Sequence, residues 1–181
     1  NMRPEKAFFL QTIVLVVSSL GGLIAGWLAD RIGRVLTMQI SIAWFAIFSF
    51  LSGLAQNYEQ LLVCRSLMGL GFGGEWAAGA VLLGETIRAQ HRGKALGSMQ
   101  AGWAVGWLLA LTFSWLFFSK LSLEPESAWR AMFFIGVIPA IFVFFLRRYV
   151  EEPAVYQRSK AELAAGSKRA SVLEIFRPPL L

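Results

Sequence analysis

An all-α membrane protein, a bundle of spanning helices, is the fold class that three features of the sequence predict. Apolar residues are gathered into five long runs, charged residues are almost excluded from those runs, and the links between them are short. Hydrophobic residues form 56% of the 181-residue chain and charged residues only 15%, with a mean hydropathy of +0.58. A run of about 18–20 apolar residues is what a helix needs to cross the hydrocarbon core. No soluble core requires five such runs in succession.

The spans are taken in order. Phe8–Ala29 and Val35–Ala55 carry no charge, Leu61–Gly84 is interrupted only by Arg65 and Glu75, and Ala95–Ser119 is again uncharged. Trp129–Val150 confines its arginines to its ends. Each is predicted as a helix, because an open strand in lipid leaves backbone polar groups unpaired. The links Asp30–Arg34, Gln56–Gln60, Glu85–Lys94 and Lys120–Ala128 are short enough to make consecutive helices antiparallel neighbours. Residues 1–150 therefore hold five membrane helices, and residues 151–181 form a polar stretch in which Ala161–Gly166 is expected as a short amphipathic helix. The chain opens on Asn1, with the first span close behind, and is expected to be a segment whose upstream part is not included.

Charge assigns the two sides. One side receives Arg31, Arg34, Arg88, Arg92 and Lys94, and then the basic tail from Arg147 to Arg177. The other receives only Arg3, Lys6, Lys120 and Arg130, and its Gln56–Gln60 link has no basic residue. The lysine and arginine excess marks the cytoplasmic face. The net charge of +6 is thus a topology signal at span ends, and nucleic acid is not an expected partner. Cys64 is the only cysteine, which excludes a disulfide framework or a cysteine metal cluster. No metal spacing, cofactor motif or nucleophile–base pair points to an enzyme.

Glycines recur four apart at Gly22 and Gly26, Gly93 and Gly97, and Gly102 and Gly106, and they crowd the third span at Gly69, Gly71, Gly73 and Gly74. Small residues at this spacing let helices approach closely in lipid. Gly69–Gly74 also matches G-x-G-x-x-G, but inside a membrane span and without the acid that should follow about 20 residues later, so no dinucleotide is expected there.

Two patterns carry chemistry. The first is Gly26-Trp27-Leu28-Ala29-Asp30-Arg31-Ile32-Gly33-Arg34, which closes one span and opens the next. Asp30 ends a helix and can face a helix N-terminus, while Arg31 and Arg34 anchor at the interface. The second is Arg65 with Glu75 inside the third span. Ionisable groups at such depth are costly and face a bundle interior or an aqueous cavity. Ten residues place them about 15 Å apart along the helix, so each needs another partner. Arg65 is either a cavity residue or a cation snorkelling from the start of its span. Glu75 is either a hydrogen-bonding group inside the bundle or a proton site.

The first pattern resembles the G-x-x-x-D-R-x-G-R signature of the major facilitator superfamily, with Val35 standing where a further basic residue is common. The resemblance implies that the chain holds the second to sixth helices of that fold's N-terminal half and the start of its central cytoplasmic loop. The first helix and the C-terminal half are then the missing partners. The pattern from Arg65 to Trp76, Glu85 with Arg92-Gly93, Gln100–Gly106, Trp129–Phe134 and Glu152-Pro153-Ala154-Val155-Tyr156 look most like the sialate and lactate proton symporters of this superfamily. The resemblance implies a multi-pass protein of the plasma (inner) membrane that carries a small carboxylate with protons and no cofactor. Arg65 and Gln100 would then bind substrate, and Glu75 would take up the proton. Gly26, Asp30, Arg31, Gly33, Arg34, Glu85 and Arg92 would form a cytoplasmic gate. A sugar-porter-type carrier of a neutral solute, and a truncated membrane segment that transports nothing, stay open as alternatives.

Overall fold

The computed structural model describes residues 3–122, 124–146 and 149–165. Six α-helices follow one another among them: α1 (Pro4–Ile32), α2 (Arg34–Leu54), α3 (Tyr58–Thr86), α4 (Ala89–Trp115), α5 (Pro125–Leu146) and α6 (Ala154–Ala164). A π-helical turn, Leu116–Lys120, continues α4. The first five are long and apolar enough to cross a membrane.

All five expected spans are present, but the helices are longer than the apolar runs and absorb most of the links. Gly33 alone separates α1 from α2, and Ile87 and Arg88 alone separate α3 from α4. Pro4 opens α1, where its missing N–H costs nothing. Asn57 opens α3, its side chain accepting a hydrogen bond from the Gln60 N–H at 2.9 Å. His91, expected in a link, stands in the first turn of α4. The polar helix starts at Ala154 rather than Ala161, directly behind Pro153, and the expected endpoint Gly166 lies outside the described residues.

Helix α3 is the centre of the packing, lying against α1 on one side and α2 on the other. Its glycines divide between the two. Gly69 and Gly73 meet the backbone of Val14 and Ser18 on α1, Gly71 meets Ser41 and Phe45 on α2, and Gly74 meets both Ser41 of α2 and Ala25 of α1. A methyl on Gly71 would stand 2.7 Å from the Phe45 nitrogen and 2.8 Å from the Ser41 carbonyl oxygen. Backbones this close gain dispersion contact that lipid cannot supply. Met38, Thr37 and Ser52 of α2 are fully buried, and α5 covers the far end of α2 through Phe134 against Gly53 and Phe50.

On α4 the glycines face none of the other described helices. A side chain added at Gly93, Gly97, Gly102 or Gly106 would meet nothing within 4 Å, and α4 contributes no buried residue. Spacing shows that a face could be packed closely, but which face turns inward depends on the neighbours. Here Trp103, and not a glycine, meets α3.

Candidate functional site

Two constellations lie along the bundle. The first is at the end that charge asymmetry assigns to the cytoplasm, where the backbone turns sharply at Gly33, with φ +109°. Only glycine adopts that conformation readily, and it leaves the first N–H groups of α2 uncovered. The Glu152 carboxylate covers them, accepting from Arg34 N–H at 2.9 Å and Val35 N–H at 3.0 Å. A remote anion thus caps the positive end of the α2 dipole. A side chain at Gly33 would collide with Glu152.

Arg34 gathers the other groups. Its Nε and Nη2 donate to the two oxygens of Glu85, both at 3.0 Å, and Nη2 lies 3.1 Å from Asp30. Nη1 donates to the Ala29 carbonyl at 3.2 Å, and the guanidinium carbon sits 5.1 Å from the centre of the Tyr156 ring. The two acids are unequal partners. The Glu85 side chain is 20% exposed and held by both oxygens, whereas Asp30 is 74% exposed and touches through one. The sheltered, two-pronged pair is the stronger. The Tyr156 hydroxyl donates to the Arg31 carbonyl at 3.3 Å, which ties α6 to the same turn.

Of the residues expected in this cluster, Asp30, Gly33, Arg34 and Glu85 come together. Arg31 joins only through its carbonyl, its guanidinium lying 4.0 Å over the Trp27 ring. Gly26 is half-buried on α1, and a side chain there would meet nothing within 4 Å. Arg92 is exposed in the first turn of α4 and makes no ion pair among the described residues. Sequence reasoning missed Glu152 and Tyr156 as members. Their signal was the Glu-Pro-x-x-Tyr spacing, which presents a carboxylate just before a helix and a ring one turn inside it.

The second constellation lies among the spans. Gln100 lines a cavity of about 540 Å³ with Ser18, Ser19, Phe72, Trp76 and Trp103. Trp103 meets Phe72 with ring centres 5.9 Å apart and Trp76 edge-on at 6.5 Å. Few polar groups and large aromatic walls are the usual lining of a small-molecule site. Sequence reasoning assigned none of Phe72, Trp76 and Trp103 to a cavity. Their helical spacing was the available signal, for Trp103 follows Gln100 by three residues and Trp76 follows Phe72 by four.

The three intramembrane candidates do not share that cavity. Glu75 is half-buried and engaged in the bundle, and it borders two other spaces. One, of about 510 Å³, reaches Met38, Gly79 and Met99; the other, of about 280 Å³, reaches Gly136 and Pro139 of α5. Arg65 is half-buried with its guanidinium carbon 5.3 Å from the centre of the Phe133 ring on α5. Phe72 is the common wall, lining both the Gln100 cavity and the smaller Glu75 space.

The family model described as sugar (and other) transporter matches residues 6–173. The chain belongs to this family of the major facilitator superfamily. It is a multi-pass integral membrane protein, and transporters of this kind are not enzymes. A probable 4-methylmuconolactone transporter of Cupriavidus pinatubonensis is 46% identical, over 90% of this chain and 38% of its own length. The cis,cis-muconate transport protein of Acinetobacter baylyi is 34% identical, over 88% of this chain and 37% of its own length. Among solved structures, the proton:xylose symporter XylE of E. coli, bound to 6-bromo-6-deoxy-D-glucose, superposes with a TM-score of 0.75 at 23% identity. That match covers 92% of this chain and 40% of the XylE chain, and it shows the fold. The chain thus spans about two fifths of the length of the proteins it matches.

Proposed function

We propose that the whole protein is a secondary active transporter that moves a small organic acid, of monocarboxylate or sialate type, together with a proton across the plasma (inner) membrane. One observation carries the reading. Phe72 and Trp76 of α3 wall the Gln100 cavity, and Phe72 also walls the smaller space that Glu75 lines, so the two spaces are neighbours, with Arg65 farther along the same helix against α5. Arg65 supplies positive charge for the substrate carboxylate or for a carboxylate partner, and Gln100 supplies hydrogen bonds. Glu75 holds the proton, because an ionised carboxylate in a span must be paired or be neutralised for part of the cycle. The acids named in the two relatives favour an organic anion. In the whole protein, residues 1–150 supply five spanning helices, and residues 151–181 begin the central cytoplasmic loop. A further first helix and a C-terminal half are their partners. The Arg34 cluster is the cytoplasmic gate, its pairs breaking as the halves rock.

The sugar-porter alternative keeps one support, the likeness of the fold to XylE. What weighs against it is that the two relatives named above are a muconolactone and a muconate transporter. Counterflow decides between the two. With the protein at its full encoded length in proteoliposomes, internal cis,cis-muconate or 4-methylmuconolactone is expected to drive exchange of the labelled acid, and xylose is not. Saturable exchange of xylose with none of either acid would reject the organic-acid reading.

A further inference from the structure

The face opposite the Arg34 cluster holds a second concentration of charge. Only four basic residues are assigned to that face by the sequence, Arg3, Lys6, Lys120 and Arg130, and three of them line one open cavity of about 1100 Å³. Tyr58, Trp129 and a single acid, Glu126, complete the part that matters here. The cavity lies where α1, α3 and α5 all begin, and each of those first turns carries an acid, Glu5, Glu59 and Glu126, of which only Glu126 lines the cavity.

The cations are poorly neutralised. Arg130 donates to the Gly53 carbonyl at 2.8 Å and to Glu126 at 3.2 Å, which leaves part of its five-donor fork unused. Lys6 rests with its Nζ 4.9 Å from the centre of the Tyr58 ring, and the Tyr58 hydroxyl donates to the Lys6 carbonyl at 3.0 Å. These two contacts fix the lysine beside the cavity while leaving its N–H donors available. Among the described residues neither Arg3 nor Lys6 makes an ion pair. Glu5, Glu59 and Glu124 stand on the same face outside the cavity, but the lining itself sets three cations against one acid, and that local excess attracts anions at short range.

We propose that this cavity is a docking site for small carboxylate anions at the outer mouth, separate from the Gln100 cavity in the membrane. Arg3 and Lys6 provide the attraction, and the free donors of Arg130 fix one carboxylate. Tyr58 and Trp129 hold Lys6 and Arg130 over one ring face each and offer the rest of their surface to the carbon skeleton, and Glu126 keeps the site weak enough to release its anion inward. The proposal depends on the organic-acid reading only for the identity of the anion.

Chemical modification of Lys6 tests it without any transport step. The protein at its full encoded length, in nanodiscs of phosphatidylcholine, is treated with an amine acylating reagent, and modification at each lysine is read by mass spectrometry. Lys120 is the internal reference: it is exposed at the same end, lies 5.6 Å over the Trp115 ring and does not line the cavity. Millimolar cis,cis-muconate is expected to slow modification of Lys6 at least about threefold relative to Lys120, the size an exposed ion pair supports. Xylose is expected to do nothing, Arg3→Gln to reduce the protection, and Glu126→Gln to increase it. The same effect should fade as salt is raised. Equal modification with and without muconate would overturn the site, as would an unreactive Lys6 beside a reactive Lys120. Protection by phosphatidylglycerol in the nanodisc but not by muconate would assign the cations to a lipid phosphate and overturn solute docking. Failure here with acid counterflow intact would leave the transport reading standing, and the reverse result would separate the two equally.

Discussion

Glu75→Gln is expected to abolish proton-driven accumulation of the acid while exchange of the acid across the membrane continues. The glutamine keeps the size and hydrogen-bonding capacity of a protonated glutamate, so it holds the site permanently in its neutral form. Loading and release of substrate still proceed from either side, but the proton gradient has nothing to act on. Labelled acid in vesicles then rises no higher than its outside concentration, whatever pH gradient is imposed. The placement of Glu75 makes this a demanding test, since its side chain is half-buried and engaged between α2, α4 and α5. If that engagement were only structural, the glutamine variant would be normal or poorly folded, and exchange and accumulation would change together. Arg65→Gln is the companion, expected to weaken acid binding itself. Normal accumulation by Glu75→Gln would move the proton site elsewhere.

Arg34→Gln is expected to produce the second large effect. It removes both bonds to Glu85, the contact with Asp30 and the bond to the Ala29 carbonyl together, leaving two acids unneutralised beside a helix start already occupied by Glu152. Transport should fall about tenfold with membrane insertion intact, corresponding to a shift of ~1–2 kcal/mol between inward- and outward-open states. Arg34→Lys keeps the charge but loses the two-pronged grip and should fall between the two. Asp30→Asn should be milder than Glu85→Gln, because Asp30 is the exposed and singly bonded partner. The reading is a cysteine at Ser18, in a background lacking Cys64, probed for reagent access from each side. Unchanged access and unchanged rate in Arg34→Gln would remove the gate role.

The spans were legible because lipid imposes a length and forbids charge, so runs such as Phe8–Ala29 announce themselves. The helix ends were less so. A run of apolar residues stops at Ala29, but helix α1 continues through Asp30 and Arg31 because the chain needs no turn until Gly33 permits one. The Arg34 cluster was half legible. Asp30, Arg34 and Glu85 stand in recognisable patterns, whereas Glu152 reaches Arg34 across 118 positions, a closure that only the path of α5 decides. The same limit applies to α4: its glycine spacing gave no sign that Met99 and Trp103 would be the residues turned toward α3. Which way a helix turns about its axis is set by its neighbours, not by its own period.

The claim that proton and acid move together is tested most directly by internal pH during uptake. Proteoliposomes holding the protein at its full encoded length and an internal pH indicator receive external cis,cis-muconate without any imposed pH gradient. Coupled movement of proton and acid gives saturable acidification of the lumen that requires the acid, keeps pace with its uptake and disappears in Glu75→Gln. Saturable acid uptake with no change of internal pH would contradict it.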